Sequence, residues 1–432
     1  MCAINVGMID VVSERIVRRN TLIDLIKQKY PGKTGKLFLC ADFERHSSRF
    51  LQDSTFHYFF GIDEPAVVAM QDINAYVLNW FTPSYATDRN VWCVPTHDAE
   101  LLATLGVEKV EVMGDAVRGY SFNPWCVEAQ VKMVCHELKN VVNNGGFIFS
   151  DIHEISAEKR IFLQQLELFI PTLKTALIDV SDLIASLRRM KSEHELEVLY
   201  EAISITAVAH QAAAGVIKPG NSEADVQAAI EYIFTENKAR PAYSSIVGSG
   251  KNATILHYDQ NNQSLDPKGL TLVDAGASFD HYCADVTRTY PTSGKFTARQ
   301  KVVYQDVLDA QTYIAEQVKP GMFLRNSKEP EKCLTSLARK FFADKGYNPE
   351  VDLPHSIGHF VGLDVHDVGS YLVPLAIGDV ITIEPGLYLK NEGIGIRIED
   401  MYWVVEDGSV CLTDEIGKTI AEVEAMMQTP LY

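Results

Sequence analysis

The chain has 432 residues, more than a single hydrophobic core normally serves, so two domains are expected and three are possible. Apolar residues make up 47% and charged residues 22%, an ordinary globular composition that excludes a largely disordered or fibrous chain. With 39 basic against 57 acidic residues the formal charge is −18, and no compact Lys/Arg run offsets it, which excludes nucleic acid and anionic membrane as partners.

Asp10 and Glu14 interrupt the N-terminal segment where a secretory signal would stay apolar, and nowhere do eighteen apolar residues run together. The eight cysteines (Cys2, Cys40, Cys93, Cys126, Cys135, Cys283, Cys333, Cys411) contain no CxxC pair, so they are expected to be reduced thiols in a cytoplasmic protein rather than a disulfide framework or a zinc knuckle. The apolar runs KLFLCA (36–41) and AVVAMQDINAYVLNWF (66–81), mixed with turn residues and helical stretches, predict a small α/β domain over residues 1–180. Residues 157–169 and 180–190 are expected to be helical, and the junction with a second domain, 181–432, falls between Val180 and Lys191.

From Ser192 onward the pattern is stated twice. A helix opening on the capping box Ser192-x-x-Glu195 runs to VIKPG (216–220), and another opening on Thr297-x-x-Gln300 runs to QVKPG (317–321). Lys218 and Lys319 lie 101 residues apart; His257 follows the first by 39 residues and His359 the second by 40. A carboxylate pair follows each histidine on predicted adjacent strands, Asp274 with Asp285 and then Glu384 with Glu399. The doubling is too long for a solenoid period and predicts two α/β halves related by an approximate two-fold axis, their acids meeting at the junction, where pockets usually form.

Strand side chains alternate faces, so Leu272 shares a face with Asp274, and Asp285 with Thr287. In GIGIRIED (393–400), Ile394, Ile396 and Ile398 are expected to bury while Arg397 and Glu399 face the site. Four carboxylates in one poorly solvated cavity could not all stay ionised without cations. Acids plus a single imidazole suit two hard divalent ions, Mn first, with Co, Fe or Zn as alternatives. Such an ion pair, roughly 3.5 Å apart, lowers the pKa of water toward 7 and so provides a hydroxide nucleophile. The competing reading is that the acids are solvated strand ends or pair with Arg288 and Arg397.

Other motifs fail on their spacing. PHSIGHFVGLDVHD (354–367) carries His355, His359 and His366, but Ser356 stands where HExxH needs glutamate. VGSGKNAT (247–254) lacks the phosphate-loop spacing and is expected to be a turn, and no GxSxG supports a serine hydrolase.

Residues from about 182 to 427, through LVDAGASFDHYCADVTRTYPTSGKFT, HSIGHFVGLDVHDVG, TIEPGLY and GIGIRIED, closely resemble the catalytic domain of the pita-bread metallopeptidases, in their aminopeptidase P and prolidase branch. DSTFHYFFGIDEP (53–65) resembles that branch's smaller domain more faintly. The resemblance implies that Asp274 chelates one ion, that Asp285 and Glu399 bridge both, and that His359 and Glu384 hold the other. It further implies that His257 and His366 line the substrate cleft, with His366 donating to the developing oxyanion and His355 in support. Glu384 would shuttle a proton, and Arg397 and Tyr243 would hold the bridging acids. In some relatives an aromatic covers the proline pocket of a neighbouring subunit, a place Trp92 could take, and dimers or tetramers are common.

The implied partners are proline-containing peptides. An X-Pro amide lacks an N–H and forces the preceding residue extended, so peptidases that need that N–H cannot engage it. Release of an N-terminal residue from X-Pro peptides is the leading expectation, because the short segment between Glu384 and Glu399 and the ending IGKTIAEVEAMM (416–427) resemble the aminopeptidase P side. A dipeptide-specific prolidase is the alternative. A methionine aminopeptidase, a metal-free creatinase-like enzyme and an inactive binding module fit less well.

Overall fold

A computed structural model describes residues 11–45, 49–91, 94, 98–117, 123–153 and 155–429; Trp92 lies outside them. Two compact units divide at Leu187/Arg188, inside the helix Ser181–Arg189.

In the first unit KLFLC becomes β1 (Gly35–Cys40), and the long apolar run 66–81 divides at a turn into β2 (Val68–Asp72) and β3 (Leu78–Tyr85). With β4 (Val107–Val117), β5 (Phe147–Ser150) and β6 (Leu177–Asp179) they form one sheet in the order β4-β3-β2-β1-β5-β6. The β1/β2 and β2/β3 pairs are antiparallel and the others parallel. Phe38, Val68, Met70, Phe81 and Ile148 pack with Phe162 and Leu166 of the helix Ala157–Phe169, whose first turn is capped by Ser156 Oγ accepting from Lys159 N. In DSTFHYFFG, Asp53 caps the helix Ser54–Phe60, and Gly61 ends it at φ 61°, the left-handed conformation that glycine adopts without penalty.

The elements of the second unit recur in order. The helices Glu193–Val216 and Glu223–Glu236 precede the first set of strands, and the helices Ala298–Gln317 and Leu334–Asp344 precede the second. Both long helices open on the capping boxes expected, Ser192 with Glu195 and Thr297 with Gln300. The first set contains β7 (Arg240–Pro241), β8 (Ile246–Ser249), β9 (Leu270–Asp274), β10 (Ala277–Phe279), β11 (Tyr282–Cys283) and β12 (Thr287–Pro291). These form two small sheets, β12-β9-β8 and β11-β10-β7. The second set contains β13 (Val380–Ile383), β14 (Gly386–Leu389), β15 (Ile394–Arg397), β16 (Asp400–Val405) and β17 (Gly408–Cys411), again split into β13-β16-β17 and β14-β15. One core joins both sets, including Val273, Tyr304, Ile314, Ile383 and all three isoleucines of GIGIRIED, Ile394, Ile396 and Ile398. VGSGKNAT ends in a single 3-10 turn, Gly250–Thr254.

Candidate metal centre

The two halves of the unit break their strands at matching points, and the breaks carry the acids. In the first half a hairpin leaves the β12-β9-β8 sheet after Asp274, the last residue of β9, and returns through residues 284–286, with Asp285 between β11 and β12. In the second half the chain leaves after β13, placing Glu384 before β14, and returns at Ile398–Glu399 between β15 and β16. Asp285 and Glu399 were expected within continuous strands. They sit instead at the switch from one small sheet to the next, where the strand is interrupted but the pairing register carries through, Asp274 facing Thr287 on one side and Ser278 facing Cys283 on the other. A Cβ on Gly276 would lie 1.8 Å from the carbonyl oxygen of Ala284.

Two carbonyls at the interruption are also met from the helix Glu193–Val216. His210, fully buried and neutral with its pKa lowered to about 4 by burial, sets Nε2 3.3 Å from Ala275 O and 3.1 Å from Val286 O. Gln311, 101 residues later, sends its amide to Asp400 and Tyr402 beside the second break. The halves are tied across the breaks by Glu399 N donating to Thr287 O at 3.1 Å and Arg397 N to Thr289 Oγ1 at 3.2 Å.

As a result all four acids meet on one cavity of about 930 Å³, lined by Asp274, Asp285, His359, Glu384, Arg397 and Glu399 together with Tyr243, His257, His355 and His366. Asp285, His359 and Glu399 each present a ligand atom within 4.8 Å of the others, and all three are buried. His359 is oriented on both sides. Its backbone N–H donates to Thr382 Oγ1, and its ring Nδ1 lies 3.0 Å from Phe360 O, which places a proton on Nδ1 and turns Nε2 toward the acids. Nε2 stands 3.3 Å from Asp285 Oδ2 and 3.7 Å from Glu384 Oε1. Donors about 2.0–2.2 Å from a shared ion stand roughly 3.0–3.6 Å apart, so the set fits a divalent cation. Gly358 allows this approach, since a Cβ there would lie 2.0 Å from Thr382 O.

The remaining polar groups form a frame around the acids. The Tyr243 hydroxyl lies 2.6 Å from both Asp274 Oδ1 and Asp285 Oδ1, one hydrogen facing two acceptors. Arg397 sends Nη2 to Asp274 Oδ2 at 2.5 Å, Nε to Thr287 Oγ1 at 3.0 Å and Nη1 to the Tyr388 hydroxyl at 2.8 Å. Thr287 Oγ1 donates to Glu399 Oε2 at 2.7 Å. The reading that Arg397 pairs with an acid therefore holds for Asp274, whereas Arg288 pairs with Asp400, outside the set. Thr287, Thr382 and Tyr388 had no role in the sequence reading. For Thr287 the signal was there, two residues from Asp285 on a predicted shared face.

His355 hydrogen-bonds Ser356 O at 2.7 Å and the Tyr388 hydroxyl at 3.0 Å, and lies 3.7 Å from Glu384. His366 sets its ring 4.2 Å from that of His359. His257 lines the cavity without joining the acid cluster. Burial, with nearby cationic groups adding to it, lowers the pKa of both His355 and His366 to about 4, so both are neutral hydrogen-bonding groups at pH 7.

One guanidinium and one imidazole face four carboxylates. Burial and mutual repulsion push Asp285 up and Glu399 well above the carboxylate range, and burial carries Glu384 up to about 7. Burial works against the charged form of His359 too, but the hydrogen bond to Asp285 and the charge of Glu384 carry its pKa up to about 9. Only added positive charge lets all four acids ionise at neutral pH.

Residues 197–406 match metallopeptidase family M24. The chain is 36% identical over 276 residues to the Xaa-Pro aminopeptidase of Haemophilus influenzae, a match covering 58% of this chain and 64% of that one. It is 30% identical over 429 residues to the Xaa-Pro aminopeptidase of Escherichia coli, covering 93% of this chain and 95% of that one. Its fold superposes on a putative aminopeptidase P from Bacillus anthracis with a TM-score of 0.82 at 28% identity, over 96% of this chain and 98% of that one.

Proposed function

The chain belongs to metallopeptidase family M24, and from that premise we propose that it is a metallo-exopeptidase that releases the N-terminal residue from Xaa-Pro peptides. The observation that carries the reading is the meeting of four buried or cavity-facing acids with His359 Nε2 around too few positive charges. Asp274, Asp285, His359, Glu384 and Glu399 hold two divalent ions, which when bound supply a nucleophile from water near pH 7 and polarise the substrate carbonyl. The oxygen-rich donors favour manganese, with cobalt, iron or zinc next.

The chain's own groups do the rest. Tyr243, Arg397 and Thr287 hold the carboxylates of Asp274, Asp285 and Glu399 in place. Glu384 takes a proton from the attacking water as its oxygen bonds to the carbonyl carbon. It returns that proton to the proline nitrogen as the C–N bond breaks. His366, neutral, donates to the carbonyl oxygen as it becomes negative, a contribution of about 3 kcal/mol for one such donor. His257 lines the substrate cleft, and His355 with Tyr388 steadies the wall beside Glu384. Because none of these groups calls on an N–H of the scissile amide, the tertiary X-Pro bond is accessible.

We assign residues 1–180 to the branch's N-terminal domain and 181–432 to the catalytic domain. We also infer a homo-oligomer, dimer or tetramer, in the cytoplasm. The six described cysteines are free thiols, as suits a reducing compartment, and among the described residues no helix is long and apolar enough to cross a membrane. Metal analysis of the purified protein and a substrate series from Gly-Pro to longer X-Pro peptides test the assignment. Uptake of two divalent ions and cleavage of tripeptides is the expected result. Cleavage of the dipeptide alone makes the protein a dipeptidase, and failure to bind divalent ions removes the assignment.

A further inference from the structure

Three arginines line the cavity, and they differ in what neutralises them. Arg397 is buried against Asp274, and Arg339 sets Nη1 2.6 Å from Glu350 Oε1. Among the described residues, the partners of Arg325 are neutral. Its Nη2 donates to Ser356 Oγ at 2.7 Å, and its guanidinium carbon lies 4.6 Å from the centre of the Tyr371 ring. These two contacts engage the exposed guanidinium and leave most of its five N–H donors for a ligand. Tyr371 is itself stacked on Phe360, the neighbour of His359, and Ser356 follows His355, so both anchors belong to the segments that shape the metal cluster.

Resting on the peptidase reading above, we propose that Arg325 forms a carboxylate-binding subsite for the leaving peptide, filled by the free C-terminal carboxylate of a short X-Pro substrate. Charge sets the direction of the chain in the cavity. Arg325 repels a substrate amine and pairs a carboxylate through the guanidinium fork. The cavity, at about 930 Å³, is at the large end for small-ligand sites and accommodates both ends of a short peptide. A carboxylate on the side chain of a residue after proline offers the same chemistry in a longer peptide.

The test compares three substrates sharing one Xaa-Pro bond: a tripeptide acid, the same tripeptide as its C-terminal amide, and an amidated longer peptide with glutamate after the proline. The protein is expected to favour the acid over the amide by about five-fold, chiefly in KM, as suits one charge-assisted pair in a solvated cavity. Arg325→Gln should bring that ratio to about one, Arg325→Lys should leave a smaller preference, and Arg339→Gln should retain it. A comparable gain on the glutamate peptide, lost in Arg325→Gln, shows the same subsite taking a side-chain carboxylate and supports it further. A ratio near one in the unaltered protein, or one that survives in a folded Arg325→Gln, overturns the subsite and leaves the peptidase reading standing. Should the unaltered protein cleave none of the three, that reading fails and the subsite with it.

Discussion

Glu399 and Asp400 are neighbours in the chain and both buried, yet their surroundings are opposite. Asp400 accepts from Arg288 Nη2 and Lys418 Nζ, both at 2.7 Å, from Gln311 Nε2 at 2.6 Å and from Thr413 Oγ1 at 2.7 Å. Burial alone would push its pKa up, but the two cations hold it below the usual range. Glu399 receives a single hydroxyl, from Thr287, and faces three more acids, so burial and repulsion push its pKa well up. Asp367 repeats the Asp400 pattern, with Arg188 Nη2 at 2.6 Å and Lys191 Nζ at 3.0 Å outweighing burial. The difference separates two uses of a buried carboxylate. One with its own cations holds the fold together, and one without them requires cations from outside the chain.

The comparison is broken most sharply by removing one acid of the unbalanced cluster. Asp285→Ala should lower kcat/KM by about three orders of magnitude or more, corresponding to the several kcal/mol that ions contribute at the transition state, while the metal-free protein keeps or gains thermal stability. Turnover within tenfold of the parent would contradict the ligand role. Arg288→Met acts in the reverse sense. It strips Asp400 of its main partner and should cost about 3–5 kcal/mol in denaturant unfolding, and pairing it with Asp400→Leu should restore most of that loss. Equal stability of the single and double variants would show that Asp400 is not the source.

Thr287→Val removes the hydroxyl that orients Glu399 and should weaken metal affinity by about 10–100-fold, read by competition with a chelator. The smallest effect sharpens the comparison by its sign. In the chelated protein Glu384 and His359 have raised pKa values, about 7 and about 9, so the folded state binds more protons than the unfolded one. His210, His355 and His366, lowered to about 4, act in the opposite sense up to the unfolded histidine value of about 6.5, so stability should fall as pH rises from about 6.5 toward 9. Asp367 and Asp400 are depressed, so their contribution is present above the unfolded aspartate value of about 4 and is lost as pH falls further. Thermal melts of metal-free protein across pH should slope downward in the first range and upward in the second. A flat profile from about pH 6.5 to 9 would remove the claim that the acid cluster is unbalanced.

Much of this was legible beforehand. The capping boxes at Ser192 and Thr297 are local motifs, and both start helices as expected, because the side-chain oxygen and the N–H it satisfies lie within one turn. The isoleucines of GIGIRIED bury for an equally local reason, the alternation of a strand. The strand interruptions at 284–286 and 398–399 were not legible, because the side-chain alternation and the pairing register run on through them and they are marked only by bonds between the halves, such as Glu399 N to Thr287 O. Nor was His210, which has no motif and is held by Ala275 O, Val286 O and the Tyr290 hydroxyl, all distant from it in the chain.

By itself the sequence determined which residue types recur at a 101-residue offset, the helices that open each half and the chemistry that four acids and a histidine can support. Only the tertiary structure decided how those acids are balanced. Whether a buried carboxylate is neutralised depends on groups more than a hundred residues away, Arg288 for Asp400 and Arg188 for Asp367, and electrostatic energy follows distance in space rather than separation along the chain.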